Sequence, residues 1–264
     1  MTQGWRTALV TGASSGIGRE FAAQLGHRGV NLVVVARRAQ RLEELGAELR
    51  EAHGIDVEVL PADLTQQAGL AAVEDRLRDA ARPVDVLVNN AGFGTHGPFQ
   101  ELDPEREDAE IRLNVVAVTR LTHAAVGGMS QRGRGAVVNV SSMTSFQPVP
   151  YSATYAATKA FVTSFSQSLH EELRGSGVRM LALCPGFVRT EFHEVAGVDR
   201  DIVPSGAWLR APDVVSAALG ALARGDALCV PGIGYKLLAA STHLAPRSAV
   251  RRIAGMVTRM GLVT

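Results

Sequence analysis

The sequence predicts an α/β protein built around a doubly wound parallel sheet of about seven strands, with helices on both faces. Short runs rich in Val, Leu and Ile alternate along the chain with longer amphipathic segments, which is the order of successive βαβ units. Most of the short runs are also continuously apolar, as strands buried on both faces require. The chain of 264 residues, 46% of them hydrophobic, suits one large domain with a substantial core.

The candidate strands are bounded by polar or turn-forming residues. In chain order they read ALV, LVVV, VEVL, VLV, AVVNV, RMLAL and LCV, at residues 8–10, 32–35, 57–60, 86–88, 136–140, 179–183 and 228–230. Segments with one polar and one apolar face predict the intervening helices at residues 16–28, 39–53, 66–80, 105–129, 153–174 and 212–223. This order predicts a single Rossmann-type domain over residues 1–264. Residues 187–208 contain glycine, proline and charges without such a pattern, which predicts a substrate loop or lid.

Charge and cysteine content argue against several other classes. The net charge of +1 gives no general attraction to nucleic acid. Cys184 and Cys229 are too few and too far apart for a disulfide framework or a zinc site, and the histidines show no paired metal-ligand spacing. There is no apolar secretory segment and no run of apolar residues long enough to cross a membrane. We therefore expect a cytoplasmic protein without a bound metal.

A glycine-rich turn lies between the first predicted strand and the first predicted helix. From Thr11 to Gly18 it reads TGASSGIG, with the spacing Gly-x-x-x-Gly-x-Gly. Glycines here let the backbone turn tightly and approach a pyrophosphate, which the N–H groups of the helix N-terminus then bind. Turn and helix-cap glycines alone also explain many such patterns. The expected dinucleotide contacts are Gly12, Ser14, Ser15, Gly16, Ile17 and Gly18.

Tyr155 and Lys159 lie one helical turn apart in a predicted helix. Lysine occurs only at positions 159 and 236, so the pairing stands out from an arginine-rich background. Such a pair is a potential acid/base couple, because a nearby ammonium favours the phenolate form of tyrosine. The alternative is a half-buried core tyrosine beside a solvated lysine.

Together these motifs resemble those of the short-chain dehydrogenase/reductase family, in its compact single-domain branch. The resemblance runs from about residue 5 to about residue 190. It is carried, in the family's order and spacing, by Thr11 to Gly18, Asn89-Asn90-Ala91-Gly92, Asn114, Ser142 (thirteen residues before Tyr155), Tyr155, Lys159, and Pro185-Gly186 followed by Thr190. The resemblance implies an oxidoreductase that transfers hydride between a nicotinamide cofactor and a carbonyl or alcohol. It also implies a homodimer or homotetramer.

The resemblance implies roles for four residues. Tyr155 is the expected proton donor in reduction and the base in oxidation. Lys159 and the oxidised nicotinamide are expected to lower the pKa of this phenol, and Lys159 also to bind the nicotinamide ribose. Ser142 would donate a hydrogen bond to the substrate oxygen, with adjacent Ser141 as the alternative. Asn114 would hold a water that connects Lys159 to solvent.

The turn after the second predicted strand indicates NADP(H) as the cofactor. Ala36 lies where a ribose-binding carboxylate would stand, and Arg37 and Arg38 supply positive charge for a 2′-phosphate. The two arginines could instead form a solvated loop end. Asp63 with Leu64 is the implied adenine contact, although Asp63 is also placed to cap the next helix. Further cofactor contacts are implied at Asn90, Ala91, Gly92, Tyr155, Lys159, Pro185, Gly186, Val188 and Thr190.

These residues predict an NADP(H)-dependent carbonyl reductase or alcohol dehydrogenase for a ketone or aldehyde, with a preference for hydrophobic substrates. The expected pocket residues are Phe93, His96, Thr144, Phe146, Val149, Phe187 and Phe192. One alternative is a regulatory protein that senses redox state by binding NADP(H) without turnover. Another is an epimerase or dehydratase, but relatives of that kind carry a different glycine spacing and a larger substrate domain.

The C-terminal segment 232–264 is basic and amphipathic. No acidic residue follows Asp226, whereas Lys236 and four arginines do, and apolar residues recur at helical spacing opposite the arginines. This pattern is typical of a helix that lies on an anionic membrane, so residues 236–260 are a candidate peripheral membrane contact. Alternatively the apolar face packs over the pocket or against another subunit.

Overall fold

The computed structural model of the chain describes residues 4–191 and 205–244. Within them lies one fully parallel sheet with the strand order β3-β2-β1-β4-β5-β6-β7, which confirms the predicted doubly wound fold. The strands are β1 Thr7–Thr11, β2 Asn31–Ala36, β3 Val57–Pro61, β4 Val86–Asn89, β5 Gly135–Val140, β6 Val178–Leu183 and β7 Leu228–Cys229.

Helices cover both faces of this sheet. They are α1 Gly16–Gly26, α2 Ala39–His53, α3 Gln67–Arg78, α4 Pro104–Ile111, α5 Val118–Gln131, α6 Ala153–Glu172, α7 Ala211–Arg224 and α8 Ile233–Leu244. Successive strand residues point to opposite faces, so Val10 of β1 packs in a core with α1, α2 and α7, whereas Leu9 packs in a second core with α3 and α5. The continuously apolar strand sequences follow from these two cores. No helix among the described residues is long and apolar enough to cross a membrane.

The predicted helix 105–129 is not one regular helix. It consists of α4, a π-helical segment Arg112–Ala117, and α5. Hydrophobic periodicity over a long window cannot reveal one widened turn, because the apolar face continues on either side of it. Asn114 lies in the widened segment and is fully buried. Such π-helical insertions frequently occur at functional sites.

The sheet order reverses between β1 and β4, and this reversal opens a crevice at the carboxyl ends of the strands. The loops that contain Gly12, Gly92, Ser142 and Pro185 follow β1, β4, β5 and β6 respectively. The two described ends of the predicted 187–208 loop run side by side, since Val188 pairs with Leu209 in an isolated parallel bridge. Because all the strands are parallel, the loops after β1, β4, β5 and β6 lie at the same edge of the sheet.

Candidate active site

The glycine-rich loop is tied to the loop after β4. The Thr11 hydroxyl accepts hydrogen bonds from the backbone N–H groups of Asn90 and Ala91, both at 3.0 Å. The Asn90 amide in turn donates to the carbonyl oxygens of Thr11 at 3.0 Å and Gly12 at 3.3 Å. Gly12 has a φ of +66°, and a Cβ there would lie 2.7 Å from the Asn90 Nδ2. A Cβ at Gly18 would overlap the Gly12 carbonyl. The two loops therefore fit together only with glycine at both positions.

Positive charge collects where α2 begins, beside the glycine-rich loop. The Arg38 guanidinium donates to the hydroxyls of Ser14 and Ser15, each at 3.0 Å. It also contacts the Glu191 carboxylate at 3.0 Å, and Arg41 contacts the same carboxylate at 2.9 Å. A carboxylate here is a stand-in anion, so the site fits the 2′-phosphate of NADP(H). Arg38, more than the neighbouring Arg37, carries the contacts that organise this site.

Asp63 follows β3 but does not cap α3. Its Oδ1 accepts hydrogen bonds from the backbone N–H of Thr65 at 3.0 Å and from the Thr65 hydroxyl at 2.7 Å. The N-cap of α3 is Gln66. The capping interpretation is therefore wrong, because the side chain closes a turn ahead of the helix. Leu64 is buried in the core that contains α3 and α5. The adenine role of Asp63 and Leu64 stays a prediction.

The structure brings Tyr155, Lys159 and Ser142 together at the carboxyl end of β5. The Ser142 side chain lies beside the Tyr155 phenol and acts to lower its pKa, and the Ser142 hydroxyl accepts a hydrogen bond from the backbone N–H of Thr144 at 3.2 Å. Lys159 is buried and its Nζ donates to the Val140 carbonyl at 2.9 Å. The same Nζ lies 5.6 Å from the centre of the Tyr155 ring. The tyrosine is therefore not a core residue beside a solvated lysine, as the alternative interpretation had it.

Ser141, the alternative to Ser142, points away from the crevice. Its hydroxyl bonds to the Lys159 carbonyl at 2.8 Å and to the Thr163 hydroxyl at 2.7 Å, both in α6. Consecutive residues of an extended chain face opposite sides. Ser141 thus anchors α6 to the sheet, and Ser142 faces Tyr155.

Asn114 and two glycines pack directly against the Tyr155 and Lys159 pair. The Asn114 amide donates to the Phe93 carbonyl at 2.9 Å and to the Thr158 hydroxyl at 3.1 Å. A Cβ at Gly92 would lie 2.9 Å from the Asn114 Oδ1 and 3.4 Å from the Lys159 Nζ. A Cβ at Gly94 would lie 2.8 Å from the Tyr155 ring. The loop after β4 can approach these side chains because it has no side chains of its own at these two positions.

Burial controls the titration of this site. It raises the pKa of Tyr155 above its ordinary value, and the Ser142 side chain opposes that effect without cancelling it. The expected lowering of the Tyr155 pKa by Lys159 is not found, because burial dominates and raises it. Burial also lowers the pKa of Lys159 to about 8. The phenol is therefore held in its protonated form, which is the form a proton donor needs.

Glu110 is a buried carboxyl near this site that the sequence analysis did not identify. It is fully buried in α4, and its Oε2 accepts from the backbone N–H and the hydroxyl of Thr95 at 2.8 and 2.9 Å. Its Oε1 is buried without a hydrogen-bond partner among the described residues. Burial raises the Glu110 pKa to about 7. A glutamate in a helix with charged neighbours is expected to be exposed to solvent. The only sequence signal for burial is that Glu110 lies three residues before the apolar Leu113 and four before Asn114, on the same helix face.

The loop after β6 packs against α8 and the loop after β5. The Pro185 carbonyl accepts from the backbone N–H of Met143 at 3.0 Å. The Tyr235 hydroxyl accepts from the Phe187 N–H at 3.1 Å and donates to the Ala207 carbonyl at 2.8 Å. The Tyr235 ring fills the space that a side chain at Gly186 would need. Val188 is buried, and the Thr190 side chain lies against Gly16 of the glycine-rich loop.

The predicted pocket residues differ in their surroundings. Phe93 lies under the Arg106 guanidinium at 5.6 Å. The His96 Nδ1 bonds the Ser152 hydroxyl at 3.0 Å, and burial lowers the pKa of this histidine. The Thr144 hydroxyl is buried without a hydrogen-bond partner in the described part of the chain. Phe187 packs 5.8 Å from Trp208.

Two further predicted pocket residues, Phe146 and Val149, lie among the described residues. Phe146 packs against a small core formed with α8, and Val149 is half-buried. Phe192 lies outside the described residues, as does the part 245–260 of the predicted membrane contact. Across residues 4–191 and 205–244, no cluster of His, Cys, Asp or Glu has the geometry of a metal site.

The chain is similar in sequence to known dehydrogenases and reductases. The sequence model of the short chain dehydrogenase family matches residues 6–200. The very-long-chain 3-oxoacyl-CoA reductase of Macaca fascicularis is 33% identical over 194 residues, which cover 71% of this chain and 61% of that protein. The chain thus spans less than two thirds of the length of this relative.

Solved structures match over nearly the whole chain. A short-chain dehydrogenase from Sphingobium yanoikuyae in complex with NADPH is 40% identical with a TM-score of 0.83, covering 90% of this chain and 94% of that one. A bulky-bulky ketone specific alcohol dehydrogenase from Comamonas testosteroni is 36% identical with a TM-score of 0.78, covering 90% and 93%. Since the family match extends over residues 6–200 and the same fold recurs at this level of identity, the chain belongs to the short-chain dehydrogenase/reductase family.

Proposed function

We propose that this protein is an NADP(H)-dependent carbonyl reductase that converts a hydrophobic ketone or aldehyde into the corresponding alcohol, and that also runs the reverse oxidation. The observation that carries the proposal is the set of Ser142, Tyr155 and Lys159 at the carboxyl end of β5, with Lys159 buried and the Ser142 side chain beside the Tyr155 phenol. Family membership supports the reaction class, and the NADPH bound to the Sphingobium relative supports the cofactor.

Tyr155 is the proton donor in this proposal. Reduction of a carbonyl adds a hydride to carbon and a proton to oxygen, and the bound nicotinamide supplies the hydride. Burial keeps the Tyr155 phenol protonated, so it is ready to donate to the carbonyl oxygen. The Ser142 hydroxyl would contact the same oxygen and stabilise the negative charge that grows on it.

Lys159 and Asn114 support the proton transfer. Lys159 uses one N–H for the Val140 carbonyl, which leaves two donors for the ribose hydroxyls of the cofactor. Its ammonium, with a pKa of about 8, favours the transient phenolate left after proton donation. Asn114 would hold the water that links Lys159 to solvent, since its Oδ1 faces the Gly92 backbone beside the Lys159 Nζ.

The cofactor preference follows from the charge around Arg38. Together with Ser14, Ser15 and Arg41 it forms a site for a dianion, and Ala36 leaves no carboxylate at the end of β2 to repel it. This arrangement favours NADP(H) over NAD(H). The glycine-rich loop and Asn90, Ala91, Gly186 and Thr190 would hold the remainder of the dinucleotide.

The substrate class is inferred from the pocket and from the relatives. Phe93, Phe146 and Phe187 lie in the loops after β4, β5 and β6 and would give the crevice an apolar wall. The similar proteins named above act on 3-oxoacyl-CoA thioesters and on ketones with two bulky substituents. We therefore propose a ketone with at least one large apolar substituent as the substrate.

Steady-state oxidation of NADPH and NADH against ketones and aldehydes of graded chain length tests this function. We expect turnover with NADPH, weaker turnover with NADH, and a rise in kcat/KM with apolar chain length. Tyr155→Phe should bind NADPH normally and lose turnover. NADPH binding by the wild type with no turnover on any carbonyl would contradict the proposal and favour the redox-sensing alternative.

We also propose a homodimer or homotetramer and a cytoplasmic location with peripheral membrane contact. Ile111, Val116 and Phe161 are exposed apolar side chains on α4 to α6, which supports subunit association. Ile233 and Leu237 are 81% and 68% exposed on α8 beside Lys236, which supports contact with an anionic membrane. Light scattering tests the first proposal. Co-sedimentation with anionic vesicles at low salt tests the second, and a failure to sediment would contradict it.

A further inference from the structure

Glu191 contacts the two arginines that lie beside the glycine-rich loop at the start of α2. Its Oε2 accepts a hydrogen bond from the Arg38 Nη1 at 3.0 Å. The Arg41 Nη1 donates to both Glu191 oxygens, at 2.9 and 3.0 Å. These are long-range contacts, because Glu191 lies beyond β6 and both arginines lie at the start of α2. Both guanidinium groups therefore share the Oε2 atom, and Arg41 also binds the Oε1 atom.

The site around Glu191 is suited to an anion for reasons that do not depend on Glu191. The 15-residue helix α2 has no acidic residue in its first turn, so its positive N-terminal end is not neutralised locally. Arg38 is also held by the Ser14 and Ser15 hydroxyls of the glycine-rich loop, which fixes its guanidinium beside the dinucleotide crevice. The hydrogen bond from Arg38 lowers the pKa of Glu191, so the carboxylate is charged at neutral pH.

We propose that Glu191 is an internal substitute for the 2′-phosphate, which competes with NADP(H) for Arg38 and Arg41 and so limits the discrimination between NADPH and NADH. The inference rests on the proposed NADP(H)-dependent function. A ligand with a 2′-phosphate must displace the Glu191 carboxylate before it can bind both arginines. A ligand without that phosphate leaves the ion pairs in place.

The energetic consequence follows from the fraction of protein in which the arginines are free. The apparent affinity for a ligand is proportional to the population of the binding-competent state, so it falls when that population falls. The Glu191, Arg38 and Arg41 side chains are 43 to 45% exposed, so each ion pair is individually weak. Removing the competing carboxylate should therefore strengthen binding of a 2′-phosphorylated ligand by about three- to tenfold.

A scaffolding role for Glu191 makes the opposite prediction. If the carboxylate merely orients the arginines toward the cofactor, its loss would let them move away and would weaken binding of the 2′-phosphate. The sign of the change in affinity therefore separates competition from orientation.

Isothermal titration calorimetry of Glu191→Gln with adenosine 2′,5′-bisphosphate and with adenosine 5′-monophosphate tests the proposal without any turnover. The two ligands differ only in the 2′-phosphate. The matched control is Glu48→Gln. Glu48 in α2 forms another exposed ion pair, with its carboxylate 2.5 Å from the Arg19 guanidinium, and the substitution removes that carboxylate. Thermal unfolding of each variant checks that it is folded.

We expect Glu191→Gln to bind the bisphosphate about three- to tenfold more tightly than the wild type, with unchanged affinity for the monophosphate. Glu48→Gln should change neither affinity. Weaker or unchanged bisphosphate binding by Glu191→Gln would overturn the inference. If the wild type does not distinguish the bisphosphate from the monophosphate, the proposed NADP(H) preference itself fails, which is a separate outcome.

Discussion

Replacement of Gly94 by alanine tests how closely the loop after β4 positions the reactive tyrosine. The added Cβ would lie 2.8 Å from the Cδ2 and 3.1 Å from the Cγ of the Tyr155 ring. Ordinary van der Waals contact begins at 3.4 Å, so the ring must move by about 0.6 Å. Gly94 is not among the glycines with positive φ, so its backbone tolerates alanine and the ring contact is the main effect.

A displacement of this size moves the phenol hydroxyl away from Ser142 and from the substrate oxygen. Errors of about 1 Å in the position of a reacting group cost on the order of a hundredfold in rate. We expect the Gly94→Ala variant to lose about 10- to 100-fold in kcat, which corresponds to about 1.4 to 2.7 kcal/mol of activation free energy. The affinity for NADPH should change little, because Gly94 is not among the expected cofactor contacts.

The assay is steady-state reduction of a bulky ketone, with NADPH affinity measured separately by fluorescence. Gly127→Ala in α5 is the matched control, because a Cβ at that position meets nothing within 4 Å. This control should keep wild-type kcat and raise the free energy of unfolding by about 0.5 to 1 kcal/mol, as expected for glycine to alanine in a helix. If Gly94→Ala kept the wild-type kcat in a folded protein, the inferred packing of the loop on Tyr155 would be refuted.

Three further predictions concern titration, cofactor choice and the serine pair. The Glu110 pKa is raised from 4.5 to about 7 in the folded state. Between these pH values the folded state therefore holds a proton that the unfolded chain has already released. Stability should therefore fall by up to about 3 kcal/mol as pH rises from about 4.5 through about 7. Glu110→Gln should flatten this slope in thermal unfolding, and an equally steep slope in the variant would contradict the assignment. Arg38→Ala should raise the dissociation constant for NADPH about 10- to 100-fold without affecting NADH, and more than Arg37→Ala does, as measured by fluorescence titration; equal effects of the two variants would contradict the role of Arg38. Ser142→Ala should lower kcat by about 10²- to 10³-fold, whereas Ser141→Ala should mainly cost about 1 to 3 kcal/mol of stability, since its hydroxyl is buried and bonded within the core. The reverse pattern in kinetics and unfolding would exchange the two roles.

Much of the fold could be predicted because the sheet is buried on both faces. Strands such as β2 and β5 must then be apolar at nearly every position, which distinguishes them from the amphipathic helices. The site residues Tyr155 and Lys159 could be located because their spacing places them on one face of α6, at the crevice that the strand order creates.

Other features depend on tertiary contacts that no local pattern encodes. The widened turn at Asn114 interrupts a segment whose apolar periodicity continues on both sides. The meeting of Glu191 with Arg38 joins residues 153 positions apart. The rise in the Tyr155 pKa reflects how deeply the phenol is buried, and this burial outweighs the charge effect that sequence spacing suggested.

Transfer of deuterium from NADPH that carries deuterium at both C4 positions of the nicotinamide tests the central claim most directly. Wild-type protein, labelled NADPH and a bulky ketone should yield an alcohol with one deuterium on the carbinol carbon, detected by mass spectrometry. The Tyr155→Phe variant should bind the cofactor and yield no labelled alcohol. An unlabelled product, or undiminished labelled product from Tyr155→Phe, would contradict hydride transfer with Tyr155 as the proton donor.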